Sequence, residues 1–230
     1  MAHTFHWIGH ACFEITLDSG ENILVDPFLE ENPAAAGEPE QGDIVLITHD
    51  HFDHMENIGA LTKEDGTVVG QPEVLAKVQE NNPAIDEDNL LNGGLGMNIG
   101  GTVSVGDVEI TMVQAFHSSD VGSPAAYLIT TAEEDVFYHA GDTGIFGGMN
   151  ELGELYDIDV AMLPIGSVFT MDPEQAALAT KLLEPEVVIP MHYGTFEILV
   201  PDTEEYEALT ADQAPGVDIV AISPGESCEY

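Results

Sequence analysis

The chain has no arginine and only three lysines, Lys63, Lys77 and Lys181, among its 230 residues. Gripping a phosphate backbone takes a basic stripe or patch, so a nucleic-acid partner is not expected. Against these few cations stand 43 aspartates and glutamates, for a formal net charge of −40. In dilute buffer such self-repulsion opposes a compact state; at molar salt the Debye length shrinks to ~3 Å and most of it is screened. The acids are spread over 30–43, 86–88, 133–135, 151–159 and 202–212. That spread fits a general surface property better than a docking patch for a basic partner. The expectation is a cytoplasmic protein of a halophile that accumulates salt. Cysteine is scarce too: Cys12 and Cys228 stand near opposite ends of the sequence, at no metal-ligand spacing. Each is expected to be a free thiol among apolar side chains rather than half of a disulfide. No apolar run reaches the ~18 residues of a membrane span. The opening Met1-Ala2-His3-Thr4-Phe5-His6 lacks the basic-then-apolar order of a signal peptide. No membrane partner is expected, and nothing in the pattern fixes an oligomeric state.

Histidine, by contrast, is concentrated. Thr48-His49-Asp50-His51-Phe52-Asp53-His54 follows the apolar, β-branched run Asp43–Ile47, so the imidazoles fall where a buried strand gives way to a loop. In an extended segment His49 and His51 point the same way, and Asp53 and His54 can turn back toward the same point. Three imidazoles and a carboxylate suit a first-row divalent ion. Three later apolar runs also break into a polar side chain: 110–116 into His117, 135–141 into Asp142, and 186–191 into His192. A single strand-end histidine is commonly structural. Here the arrangement recurs four times, and five histidines with two aspartates suffice for two metals.

Around these points the pattern predicts short strands at 4–8, 11–18 and 22–26 joined by tight turns, an antiparallel meander. Further strands are predicted at 67–70, 102–105, 108–116, 125–131, 135–140, 160–164, 187–191 and 217–222. Helices are predicted at 57–61, from Pro72 to about Asn81, and at 145–155, 173–183 and 203–209. Apolar residues make up 44% of the chain, ample for a core. Residues 1–230 are expected to form a single α/β domain. Strand-rich stretches followed by strand–helix alternation suit a four-layer αβ/βα sandwich with ligands on loops at one edge. Asp26-Pro27 ends the third strand, where Asp26 either serves the site or starts a turn.

The order His49-x-His51-x-Asp53-His54, then His117, Asp142 and His192, resembles the metallo-β-lactamase superfamily. Gly9-His10-Ala11-Cys12-Phe13, Met97-Asn98-Ile99-Gly100-Gly101, His139-Ala140-Gly141-Asp142-Thr143 and Pro190-Met191-His192-Tyr193-Gly194-Thr195-Phe196 are similar to its branch of metal-dependent hydrolases that includes ascorbate-phosphate lactonase. The likeness runs from about residue 5 to Pro224-Gly225-Glu226. It implies that His49, His51 and His117 hold one divalent ion, that Asp53, His54 and His192 hold the other, and that Asp142 bridges them. Zinc is the first expectation for so many imidazoles, with manganese or iron also compatible with two carboxylates. The implied activity is that of a dinuclear hydrolase using a metal-bridging hydroxide on a small-molecule lactone, ester or phosphodiester, with Asp53 as proton acceptor. The likeness also puts His10 near the pocket, as a supporting or substrate-contacting group or simply a buried histidine. Tyr193 is either a phenolic donor to a substrate oxyanion or a packed aromatic. His139 is read as a hydrogen-bonding neighbour of the site rather than a ligand. Ser118 and Ser119 have no spare histidine–aspartate pair to activate them. Two alternatives stand: a nuclease of the same superfamily, and a non-catalytic metal-binding protein.

Overall fold

A computed structural model describes residues 2–230. The chain folds as two sheets whose inner faces meet, with helices outside. β1 (Thr4–Gly9), β2 (Cys12–Thr16) and β3 (Asn22–Val25) are the expected antiparallel meander. β4 (Gly42–Leu46) and β5 (Thr62–Val69) extend it in parallel, with α1 (Ile58–Leu61) lying between them in sequence. After α2 (Pro72–Asn81), the second sheet begins with an antiparallel run: β6 (Thr102–Val105), β7 (Val108–Gln114), β8 (Ala125–Thr130) and β9 (Val136–His139). It continues in parallel through β10 (Val160–Pro164), β11 (Val187–Met191) and β12 (Asp218–Ile219). α3 (Gly148–Leu155), α4 (Pro173–Leu183) and α5 (Glu204–Gln213) connect these strands. A last strand, β13 (Ser227–Glu229), returns to the first sheet and pairs with β1. The orders are β13-β1-β2-β3-β4-β5 and β12-β11-β10-β9-β8-β7-β6.

The local causes are plain. β10 reads Val-Ala-Met-Leu-Pro and is buried along its whole length, as a parallel strand covered on both faces requires. α2 and α4 both open on proline, whose fixed φ and missing N–H suit a first helical position. Asp172 caps α4 by accepting from Gln175 N at 2.8 Å. Between the sheets, Phe5 meets Phe137 edge-on at 4.9 Å. Tyr127 reaches from β8 to donate to Ile47 O at 2.7 Å. Each large side chain so buried contributes roughly 1.5–3 kcal/mol.

Three strands at sheet edges depart from the sequence expectation. β5 starts at Thr62, five residues early, because its exposed edge carries Lys63-Glu64-Asp65 and no apolar signal. β12 covers only Asp218–Ile219, since the strand-like run from 217 to 222 finds partners for two residues alone. β13 has a Ser-Cys-Glu sequence without periodicity; it is a strand because β1 offers it an open edge. Cys12 and Cys228 are free, and burial lifts the Cys12 thiol to about 12.

Only four acids are buried among the described residues: Glu14, Asp26, Asp50 and Asp142. A chain that keeps nearly all its negative charge in solvent thus encloses a few carboxylates, and three of the four lie around the histidine loop.

Candidate metal centre

The site forms where strands of both sheets end at one edge. β4 runs out into His49, β7 into His117, β9 into Asp142 and β11 into His192, while His10 sits in the β1–β2 turn and Asp26 just past β3. The loop after β4 is tied down from several sides. Ala125 N donates to Thr48 O at 3.0 Å, and Asp26 accepts from Thr48 N at 2.8 Å and from the Thr48 hydroxyl at 2.6 Å. Asp50, fully enclosed, accepts from Lys77 Nζ of α2 at 2.6 Å, from Ser119 Oγ at 2.5 Å and from Asp120 N at 2.8 Å. One carboxylate thereby joins the His49–His51 segment to the loop carrying His117 and to α2. Burial alone would raise the Asp50 pKa, but these donors hold it well below the usual carboxylate range. His10 O accepts from both Trp7 Nε1 at 2.9 Å and His192 N at 3.0 Å, linking the two halves beneath the site.

The candidate ligand atoms converge in two groups, joined by a third, His49, His54 and Asp142, that draws one histidine from each. Those of His49, His51 and His117 lie within 4.8 Å of one another, and so do those of His10, Asp53, His54 and His192. His49 Nε2 is 3.0 Å from His51 Nδ1. Asp142 Oδ2 stands between the groups, 3.6 Å from His117 Nε2, 3.5 Å from His54 Nε2 and 3.2 Å from His192 Nε2.

The tautomers follow from the partners. The Thr48 hydroxyl gives its hydrogen to Asp26 and so accepts from His49 Nδ1 at 3.0 Å; His54 Nδ1 donates to Asp26 Oδ2 at 2.8 Å. Each ring therefore turns Nε2 toward the centre. His54 Nε2, both nitrogens of His192 and Asp142 Oδ1 are buried without a hydrogen-bond partner. Such orphaned groups are costly in a folded chain, and divalent cations would satisfy them. The charges agree. Burial disfavours protonated His54, yet the Asp142 and Asp26 carboxylates push its pKa well above the ordinary histidine value. Burial would likewise raise Asp142, but His192 and His54 hold it well below the usual range. His49, whose Nδ1 bonds to the Thr48 hydroxyl and not to a carboxylate, is driven down to about 3 by burial and by the charge of His54. Burial disfavours the charged form of His49 and His117 while the carboxylates favour positive charge at His54, and a divalent ion would satisfy both.

The seven ligand candidates read from the sequence thus come together. His10 meets the same cluster in another capacity. Its Nε2 faces Asp53 Oδ2 at 3.2 Å and its Nδ1 faces Thr195 Oγ1 at 3.0 Å. Facing a carboxylate, Nε2 carries the proton, and Nδ1 accepts from the threonine. Burial depresses the His10 pKa to about 4. Asp53, whose burial would raise it, is brought well below the usual range by the hydrogen bond from His10 and the charge of His54. His139 donates Nε2–H to Ala11 O at 3.0 Å and accepts from Gly141 N at 3.2 Å, so neither nitrogen is left for a metal. Tyr193 requires a correction. Its ring packs on Trp7 with centroids 5.1 Å apart, and its hydroxyl donates to Ile222 O at 3.4 Å. The chain turns at His192, whose φ is 58°, and burial pushes the phenol up to about 12. It is a packed aromatic. Asp26, left open by the sequence, serves the site; Thr48, Asp50, Lys77 and Thr195 carried no pattern that marked them.

His10, Asp26 and His192 all have positive φ, at 58°, 48° and 58°. This region is uncommon for residues other than glycine, although Asp and His enter it more readily than most. Two glycines permit the close approaches that remain. A Cβ on Gly166 would run into the His192 carbonyl, and one on Gly141, at φ 57°, would come within 2.9 Å of Ala125 O and Thr48 Cγ2.

The fold and this arrangement of ligands have clear counterparts. A family model described as the beta-lactamase superfamily domain matches residues 21–193, and the architecture is that of the metallo-β-lactamase fold. A UPF0173 metal-dependent hydrolase of Nitratidesulfovibrio vulgaris is 45% identical over 228 residues, covering 96% of this chain and 92% of the relative. One from Methanopyrus kandleri is 44% identical over 235 residues, covering 97% and 98%. The solved structure of Igni18, a metallo hydrolase from Ignicoccus hospitalis, superposes with a TM-score of 0.87 at 33% identity, covering 100% of this chain and 99% of that one. The chain belongs to the beta-lactamase superfamily and, within it, to the UPF0173 metal-dependent hydrolases.

Proposed function

We propose that the chain, as a single unit over residues 1–230, is a dinuclear hydrolase of small lactones, esters or phosphodiesters. The observation that carries this reading is the placement of Asp142 Oδ2 between the His49–His51–His117 group and the group containing Asp53, His54 and His192. Two divalent ions held there would supply a water-derived nucleophile at neutral pH and polarise the oxygen of the bond to be cleaved. Zinc fits five imidazoles best, and manganese or iron suits the carboxylates. Asp53 has one oxygen toward His54 at 4.0 Å and the other on His10; low basicity makes it a ligand first and a transient proton acceptor second. His10 then orients Asp53 through Nε2–H, with Thr195 fixing the ring. Asp26 and Thr48 orient His54 and His49, and Asp50 ties the His51 and His117 loops together, before any substrate arrives, so little reorganisation of these groups accompanies reaction. The acid-covered surface supports the further reading that the protein works in a salt-rich cytoplasm. Glu204, Glu205, Glu207 and Asp212 are all exposed on α5 alone.

The test is elemental analysis of protein purified in molar KCl and loaded with zinc or manganese, followed by turnover of lactones, p-nitrophenyl esters and bis-(p-nitrophenyl) phosphate. Two ions per chain and turnover abolished by chelation are expected. One ion or none in a fully loaded preparation, or two ions without hydrolysis of any class, would overturn the proposal; the second result would leave a metal-binding protein.

A further inference from the structure

The cleft over the ligands has a second wall, and it is apolar. Phe52 directly follows His51, while Phe169, Phe196 and Ile198 lie on loops after β10 and β11. All four line the same cleft of about 520 Å³ as His51, His117, Asp142 and His192. Phe52, Phe169 and Ile198 are 64%, 54% and 59% exposed. Single exposed apolar side chains need no explanation, but several around one mouth mark a binding surface. On an otherwise acidic chain the contrast is sharp.

The wall is held by design of the backbone. Ser167 and Val168 both have positive φ, 62° and 55°. For a β-branched residue this is a true outlier, costing about 1–3 kcal/mol where it occurs. The loop is pinned on both sides, by Ser167 N to Met171 O at 2.9 Å and by Val200 N to Gly166 O at 3.0 Å. Strain retained next to a site is characteristic of recognition loops. The same loop carries Phe169 to the cleft that Phe52 also lines.

No lysine lines this cleft. Lys63 pairs with Asp43 at 2.7 Å and Lys77 with Asp50 at 2.6 Å, and Lys181 borders a separate depression with Glu184 and Glu186. A phosphate group away from the reacting bond would meet no cationic side chain, and Asp53 is close by. The volume suits a small molecule, not a macromolecular partner.

Building on the hydrolase reading above, we infer that the substrate is an uncharged ester, thioester or lactone bearing an alkyl or aryl substituent that packs on Phe52, Phe169, Phe196 and Ile198. Water adds across the acyl bond; an open ester gives an acid and an alcohol, a thioester an acid and a thiol, and a lactone one hydroxy acid. Phosphorylated substrates are disfavoured.

The test uses the metal-loaded full chain in molar KCl with p-nitrophenyl esters from acetate to octanoate. A fully buried methylene is worth up to about fourfold, so kcat/KM should climb two- to fourfold per added carbon before levelling off. Phosphomonoesters and phosphodiesters of the same leaving group should fall at least ~100-fold below the best ester. Calorimetric binding of n-alkyl hydroxamates of two to eight carbons reads the same wall without turnover, and affinity should rise along the series. Phe169→Ser and Ile198→Ser should flatten both series; Leu155→Ser, which changes an exposed leucine on α3, should not. Flat series in the native chain, with short esters still cleaved, would overturn this inference and leave the hydrolase reading standing. So would variants that break up an oligomer while keeping the chain-length slope, which would make the wall an interface between copies. Rising hydroxamate affinity without turnover of any ester, lactone or phosphodiester would support the wall and sink the hydrolase reading instead.

Discussion

Among the residues of the site, Asp142 carries the largest consequence. It is the one carboxylate within reach of ligand candidates from both groups, and removing it would leave the two ions of the proposed centre with no protein anion between them. Asp142→Ala is expected to lose at least one ion and to cut turnover more than about a hundredfold, since even outer partners of metal ligands are worth 10–100-fold. His139→Ala is the contrast. It should cost roughly 3 kcal/mol of stability through a cavity and two lost hydrogen bonds, yet retain two ions. Elemental analysis and thermal unfolding of both variants check this pair, and two ions with full turnover in Asp142→Ala would mean the bridge lies elsewhere. Residues of this kind were legible in the sequence because ligand chemistry is restricted to a few side-chain types at strand ends. Asp26 was only half legible: a buried acid that holds His54 and Thr48 looks, in one dimension, like any aspartate before proline. Thr48 and Thr195 were not legible, because a hydroxyl that orders an imidazole leaves no spacing behind. Tyr193 misled for a related reason. Adjacency to His192 says nothing of direction when the backbone at His192 takes positive φ and turns the chain.

At the level of elements, the apolar strands and the proline-opened helices were readable because burial imposes its own period. The edges were not. β13 and the start of β5 are strands by virtue of a neighbour's unpaired backbone, which the sequence does not display. The same limit hid the clamp between α2 and the histidine loop, where Lys77 meets Asp50. Lys77→Met keeps the length of the stem and removes the charge, leaving Asp50 with Ser119 and Asp120 N but without its cation. Breaking such an enclosed pair typically costs about 3–5 kcal/mol. Because Lys77 is a third exposed, the expected loss is smaller, about 1–2 kcal/mol. Affinity of the His49–His51–His117 group for metal should fall about tenfold. Competition against a chromophoric chelator measures the second effect, and an unchanged affinity would assign the clamp to stability alone. Gly166→Ala probes the opposite loop. Its methyl must displace the His192 carbonyl, and the expected result is loss of the ion held by Asp53, His54 and His192 while the other remains.

Across the whole molecule, charge sets the conditions under which any of this can be observed. With a net charge of −40 and exposed acids on β5, α2, α3, α4 and α5, the denaturation midpoint should rise steeply from low to molar KCl as screening removes self-repulsion. A midpoint flat over that range would detach the acidity from salt adaptation. The scarcity of cations has a practical side as well. Trypsin cuts only after lysine or arginine, so this chain offers it three bonds, and complete digestion leaves four peptides. Lys181 is exposed in the last turn of α4 and should be nicked first in the native protein. The bond after Lys77 lies inside α2, behind a side chain anchored to the carboxylate that joins two ligand loops. Cleavage there is then a gauge of the centre itself: slow with metal bound, faster after chelation, and readable from a new pair of bands on a gel.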